Sequence, residues 1–196
     1  MDRRDLVRML ALSPLPALLG VRPAVLEQAV RSARLASAAR GAAFEPRFFS
    51  AEEWETVRLL ADLVIPRDER SGSATEAGVP EFMDWVIAEY PSHQTPIRGG
   101  LAWLDRECRG RWGQPFRALG DAERRTVLDA IAWPDRATDA MRPGVAFFNR
   151  FRDFVAAGFW SSRMGVEDLG YQGNTFVTEW TGCPDAQLAR YGVRRA

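Results

Sequence analysis

Acid and base chemistry needs two carboxylates that can face one substrate, and the chain offers three adjacent pairs: Glu52 with Glu53, Asp68 with Glu69, and Glu167 with Asp168. Neighbouring carboxylates more often occupy solvated helix ends and loops, and that is the expectation for all three. Asp62 and Asp84 lie in helical stretches beside apolar neighbours, and each is expected to pair with an Arg at an element boundary. His93 is the only histidine. It follows Pro91 and Ser92 ahead of a predicted helix, the position of an exposed loop residue. Ser161 and Ser162 lack the glycine-flanked elbow of a serine nucleophile. All 26 basic residues are Arg, which removes Schiff-base and lysine general-base chemistry.

Cys108 and Cys183 stand 75 positions apart with no paired-cysteine motif, so zinc clusters and haem attachment have no sequence support. Cys108 falls on an apolar helical face and reads as a small buried residue. Cys183 sits between Gly182 and Pro184 in an irregular stretch, and an oxidising compartment would let it bond to another chain or to Cys108. There is no glycine-rich phosphate cradle. Formal net charge is zero, with 26 basic against 26 acidic residues, so no basic field collects nucleic acid. Seven Trp and eleven Phe exceed what one pocket needs, and they read as packing rather than as platforms for stacking sugar rings.

The elements that would position these residues begin after a distinctive N-terminus. Arg3 and Arg4, then Leu6, Val7 and Arg8, precede an apolar run from Met9 to Val21 broken by Pro14 and Pro16. That run is too short and interrupted to span a bilayer, and the whole reads as a twin-arginine export signal. A small-residue cleavage pattern occurs at Ala36, Ser37 and Ala38. Cleavage there would leave 20 Arg against 23 acidic residues, a net charge of −3.

Helical periodicity dominates the rest. Ser50 and Glu53 form a capping-box signal, Phe49 can staple onto Trp54, and Trp54, Val57, Leu60, Ala61 and Val64 share a face until Pro66. Residues 66–78 are polar and turn-rich. A second helix follows Pro80 with Phe82, Val86 and Tyr90, closed by Pro91. A third carries Ile97, Leu101, Leu104 and Cys108. Asp121 can cap a fourth that turns Val127, Leu128 and Ile131 inward. The longest is expected after Pro143, with Phe147, Phe148, Phe151, Phe154, Val155 and Phe159 on a broad apolar face. From Ser161 the regularity fades into Gly165, Gly170, Gly173, Gly182 and Pro184. Such a tail either lies along a partner or wraps its own bundle.

The stretches Ser50–Trp54, Leu60–Pro66 and Thr75–Asp84, together with Gly170–Asn174 and Trp180–Pro184, resemble the gluconate 2-dehydrogenase subunit 3 family in order and spacing over about residues 48–190. Gln172 stands where that pattern has a second Gly. The resemblance implies a small subunit of a periplasmic dehydrogenase. Its catalytic partner would be a flavoprotein of the GMC type that holds FAD and oxidises a sugar or polyol, at times joined by a cytochrome c subunit with haem. It also implies that Tyr171, Gly173, Asn174, Trp180 and Pro184 dock onto the partner, and that the small subunit carries the export signal for both.

The sequence therefore predicts an all-α chain. Residues 1–38 form the signal and linker, and residues 39–196 form a single helical domain with an irregular C-terminal tail. The expected function is that of an accessory subunit without catalytic, cofactor or metal residues, working in the periplasm and reaching a membrane only through partners. Two rivals are a free-standing exported carbohydrate-binding module and a cofactorless enzyme using a carboxylate pair.

Overall fold

The computed structural model describes residues 44–171 and, beyond them, 178–179, 182–183, 185–190 and 192. Helix α1 spans Ala51–Val64 and begins as its sequence dictates. The Ser50 hydroxyl accepts from the Glu53 backbone N–H at 3.2 Å, and the Glu53 carboxylate accepts from the Ser50 N–H at 2.9 Å. Two of the otherwise orphaned donors at the helix start are thereby satisfied. Phe49 and Trp54 bring their rings to 6.4 Å across the same turn.

Helix α2 spans Val79–Glu89, entered through Gly78 at φ 79°, a left-handed conformation that a residue without Cβ adopts freely. Helix α3, Pro91–Trp112, starts six residues before its first predicted core position, Ile97, and His93 lies inside it. Pro91 does not merely close α2. It also opens α3, where its missing N–H and fixed φ suit a first helical turn. With 22 residues α3 is the longest helix described, ahead of the 20-residue stretch after Met141 that was expected to hold that place.

Helix α4 spans Asp121–Ala132, but Asp121 is its first helical residue and Gly120 the cap, so the predicted Asp121 cap is not made. The Asp121 carboxylate instead takes the Arg124 guanidinium at 3.1 Å. Helix α5 spans Arg142–Ser161. The expected loss of regularity after Ser161 is also corrected. The Ser162 hydroxyl accepts from the Gly165 N–H at 3.0 Å and caps α6, Arg163–Leu169; a further short helix α7 covers Asp185–Arg190. The described residues contain no strand.

Helix α5 is the axis of the molecule, packing against α1, α2, α3, α4 and α6. Phe147, Phe148, Phe151, Phe154 and Phe159 are buried along it. Two glycines set how closely the neighbours approach. A Cβ on Gly100 of α3 would stand 2.0 Å from the Phe147 ring, and one on Gly144 of α5 would stand 2.2 Å from the Trp103 ring.

Candidate functional site

The polar side chains that sequence singles out are used, one after another, to tie loops to helices. Asp84 on α2 is 1% exposed, yet no Arg side chain among the described residues pairs with it. Its carboxylate accepts three consecutive backbone N–H groups, from Arg47 at 2.8 Å, Phe48 at 2.9 Å and Phe49 at 3.2 Å. Asp62 on α1 likewise binds no Arg; it accepts from the Thr75 N–H at 2.8 Å and hydroxyl at 2.6 Å. Both carboxylates thus replace the solvent that irregular backbone and a part-buried hydroxyl would otherwise need.

Residues 66–78 form an internally bonded loop. Asp68 accepts from the N–H groups of Arg70 and Ser71, both at 2.9 Å, and Glu76 accepts from the Ser73 N–H at 2.7 Å and pairs with Arg67. Arg70 bonds the Asp168 carbonyl and stands 3.4 Å from its carboxylate, which fastens the loop to α6. The Thr75–Asp84 stretch therefore does positional work at both of its ends.

The three acidic pairs do not converge on one pocket. Glu52 pairs with Arg117 at 2.8 Å, Glu53 with Arg98 at 3.0 Å, and Glu167 with Arg163 at 2.8 Å. With no Lys in the chain, these surface ion pairs are all guanidinium to carboxylate. A shallow cleft of about 260 Å³ between α1 and α3 is lined by Glu52, Glu53, Arg98 and Asp105. Asp105 spends its carboxylate on the Phe116 N–H at 3.0 Å. Within the cleft Glu53 pairs with Arg98, while Glu52 and Asp105 reach partners outside it.

Glu81 at the start of α2 has a pKa raised above its ordinary value of 4.5, chiefly by burial and also by the charge of Asp84. Its own N–H and Arg58 oppose the rise. One carboxylate oxygen of Glu81 is buried without a hydrogen bond.

His93 is not the exposed loop residue expected of it. It is 7% exposed, and its ring meets Phe154 edge-on at 5.1 Å, because the early start of α3 turns it toward α5. Cys108 is a buried thiol, pushed up to about 11 mainly by burial and then by Asp105 and Glu107. Cys183 is exposed, and the alternative Cys108–Cys183 bond is not formed. The two thiols stand in different surroundings, Cys108 enclosed in the core and Cys183 exposed. Trp103 is buried, while Trp54, Trp85, Trp112, Trp133 and Trp160 are half-buried and packed against the core. These six Trp are therefore committed to packing, which leaves little ring face for stacking on a sugar.

Of the expected docking residues, Tyr171 is described and 61% exposed, beside Leu169 at 52%. The turn between them uses Gly170 at φ 65°, with the Tyr171 N–H bonding the Val166 carbonyl at 3.2 Å. Gly173, Asn174, Trp180 and Pro184 lie outside the described residues, as do Arg3, Arg4, Leu6, Val7 and Arg8. Sequence reasoning missed Arg47, Glu89 and Arg98, which gather around the backbone segment that Asp84 holds. The available signal was three successive N–H groups ahead of a helix cap, all needing acceptors.

No helix among the described residues is long and apolar enough to cross a membrane. No curated protein and no solved structure matches the chain. The family model for gluconate 2-dehydrogenase subunit 3 matches residues 51–178, a span running from the first residue of α1 past the end of α6. The chain belongs to the gluconate 2-dehydrogenase subunit 3 family.

Proposed function

We propose that the chain is a non-catalytic small subunit that binds a flavin-dependent sugar or polyol dehydrogenase, escorts it through the twin-arginine route and stabilises it in the periplasm. Family membership over residues 51–178 is the observation that carries this reading. It is supported by the acidic residues, which are engaged in a helix cap and in ion pairs with Arg98 and Arg117. FAD belongs to a GMC-type catalytic partner in this reading, and any haem c to a third subunit.

The physical logic is one of order. A flavoprotein takes up its cofactor as it folds in the cytoplasm, so a partner without a leader crosses as folded cargo bound to a chain that has one. Residues 1–38 supply that address through Arg3, Arg4, Leu6, Val7 and Arg8, and residues 39–196 form the binding domain. After export the bound state stabilises the partner by mass action. Tyr171, Gly173, Asn174, Trp180 and Pro184 dock on the catalytic subunit, and Cys183 links to it through a disulfide.

The test is cell fractionation after Arg3 and Arg4 are both replaced by Lys in a strain expressing this chain with its dehydrogenase partner. Both proteins and the dehydrogenase activity should stay in the cytoplasm; periplasmic activity surviving the change would overturn the escort. Run without reductant, the wild-type complex should show a band at the summed mass that vanishes in Cys183→Ser and persists in Cys108→Ser. Two separate bands would remove the covalent link and leave the escort standing.

A further inference from the structure

Immediately ahead of α1, the short segment from Phe44 to Phe49 is held from four directions. Asp84 of α2 accepts the three N–H groups of Arg47, Phe48 and Phe49. Glu89, the last residue of α2, takes the Arg47 guanidinium at 3.1 Å. Arg98 of α3 donates to the Phe48 carbonyl at 2.7 Å, and its guanidinium lies 4.3 Å from the centre of the Phe48 ring. Phe44 stacks on Trp54 of α1 at 5.0 Å, and Phe49 is 4% exposed in the core. The polar groups of this seat lie 35 to 50 residues further along the chain than the backbone they hold.

We propose that residues 44–49 are a fold-dependent strap: their seat exists only once α1, α2 and α3 have packed, and while seated they bar the folded chain from being drawn out N-terminus first. This rests on the reading of residues 1–38 as an export leader. A machine that threads an unfolded chain pulls on the folded body through the residues past the leader, and among the described residues the strap is the first that such a pull meets. Unseating it withdraws Phe49 from the core and leaves Asp84 buried without partners, a state more unfavourable than the loss of the hydrogen bonds alone. The load therefore reaches three helices before any of them has begun to unravel. A folded-cargo route meets no such resistance, because it never asks the strap to leave its seat. The device makes display of the leader from a completed body the productive state.

The experiment uses the full chain in three forms: wild type, Asp84→Asn, and Arg98→Ala with Glu89→Gln. Asp84→Asn turns one accepting oxygen into a donor facing backbone donors. The double variant loosens the strap from the surface and keeps the test available if Asp84→Asn does not fold. Trypsin can cut the Arg47–Phe48 bond only when the strap is unseated, and mass spectrometry of the product starting at Phe48 reports the rate. That cut should be at least about tenfold faster in the folded variants, with helix content by circular dichroism unchanged. When residues 1–38 are replaced by a leader for the threading route, the exported fraction of these variants should rise several-fold over that of the wild-type body.

Cutting at the wild-type rate in both folded variants would overturn the strap. So would threading of the strap variants no better than the wild-type body when their Arg47–Phe48 bond has become labile. Arg3→Lys with Arg4→Lys separates the two readings. If that pair is exported normally, the twin-arginine route fails while the trypsin rates still decide the strap. If it is retained and the strap variants thread no better than the wild-type body, the strap alone fails.

Discussion

Glu81 occupies the third position of α2, where the helix dipole favours a negative charge, yet burial of its carboxylate outweighs that advantage and raises its pKa. A raised folded pKa means the native state holds the proton more tightly than the unfolded chain does. The stabilisation is thus fully present below about pH 4.5 and is lost as pH rises through the higher native value. Glu81→Gln should accordingly raise the melting temperature at pH 7 and give no gain below pH 4.5, a pattern that thermal melts across pH will check. Equal melting of the two proteins at pH 7 would show that the buried carboxylate is not under strain. Single residues were also where the sequence was least legible. Asp62 and Asp84 announced themselves as acids among apolar neighbours, but their partners are backbone N–H groups in distant loops, which no local pattern encodes. His93 was misplaced for the same reason, since the ring that covers it, Phe154, lies 61 positions away.

Two consecutive glycines on α3 make opposite predictions for one helix. Gly99 faces open space, so Gly99→Ala removes unfolded-state freedom and should stabilise by about 0.5–1 kcal/mol. Gly100 lies under the Phe147 ring, and Gly100→Ala should destabilise by about 1–3 kcal/mol or more as α3 and α5 are pushed apart. Each kcal/mol shifts the melting temperature of a domain this size by roughly 2–4 °C, within reach of a scanning melt. Like signs for the two substitutions would mean that α3 does not present these faces. At this scale much was readable in advance. The start of α1 follows from Ser50 and Glu53, three residues apart, and the apolar stripes of α1, α3 and α5 follow from helical spacing. The start of α3 was misread because Pro91 serves equally as a stop for one helix and a first residue for the next. Helix α6 was overlooked although its cap, Ser162, is local, because seven residues rich in glycine neighbours give too little periodicity to notice.

Among the described residues, every buried apolar side chain lies between Phe49 and Phe159. A chain ending at Gly170 should melt within a few degrees of the full chain, because the residues described after it bury no apolar side chain. It should also fail to co-purify with the dehydrogenase, because Tyr171 and the elements after it are gone. A truncated chain that still binds would move the docking surface onto α1–α6, and one that does not fold would make the tail part of the body. The guanidinium-only ion pairing has one more consequence. A protein without Lys has a single primary amine, at its own N-terminus, so amine-reactive crosslinkers can join it to a neighbour only through that one group. The same reagents become a count of chain starts: one dye per molecule, carried either by the leader or, once processing has occurred, by the newly exposed first residue of the mature subunit.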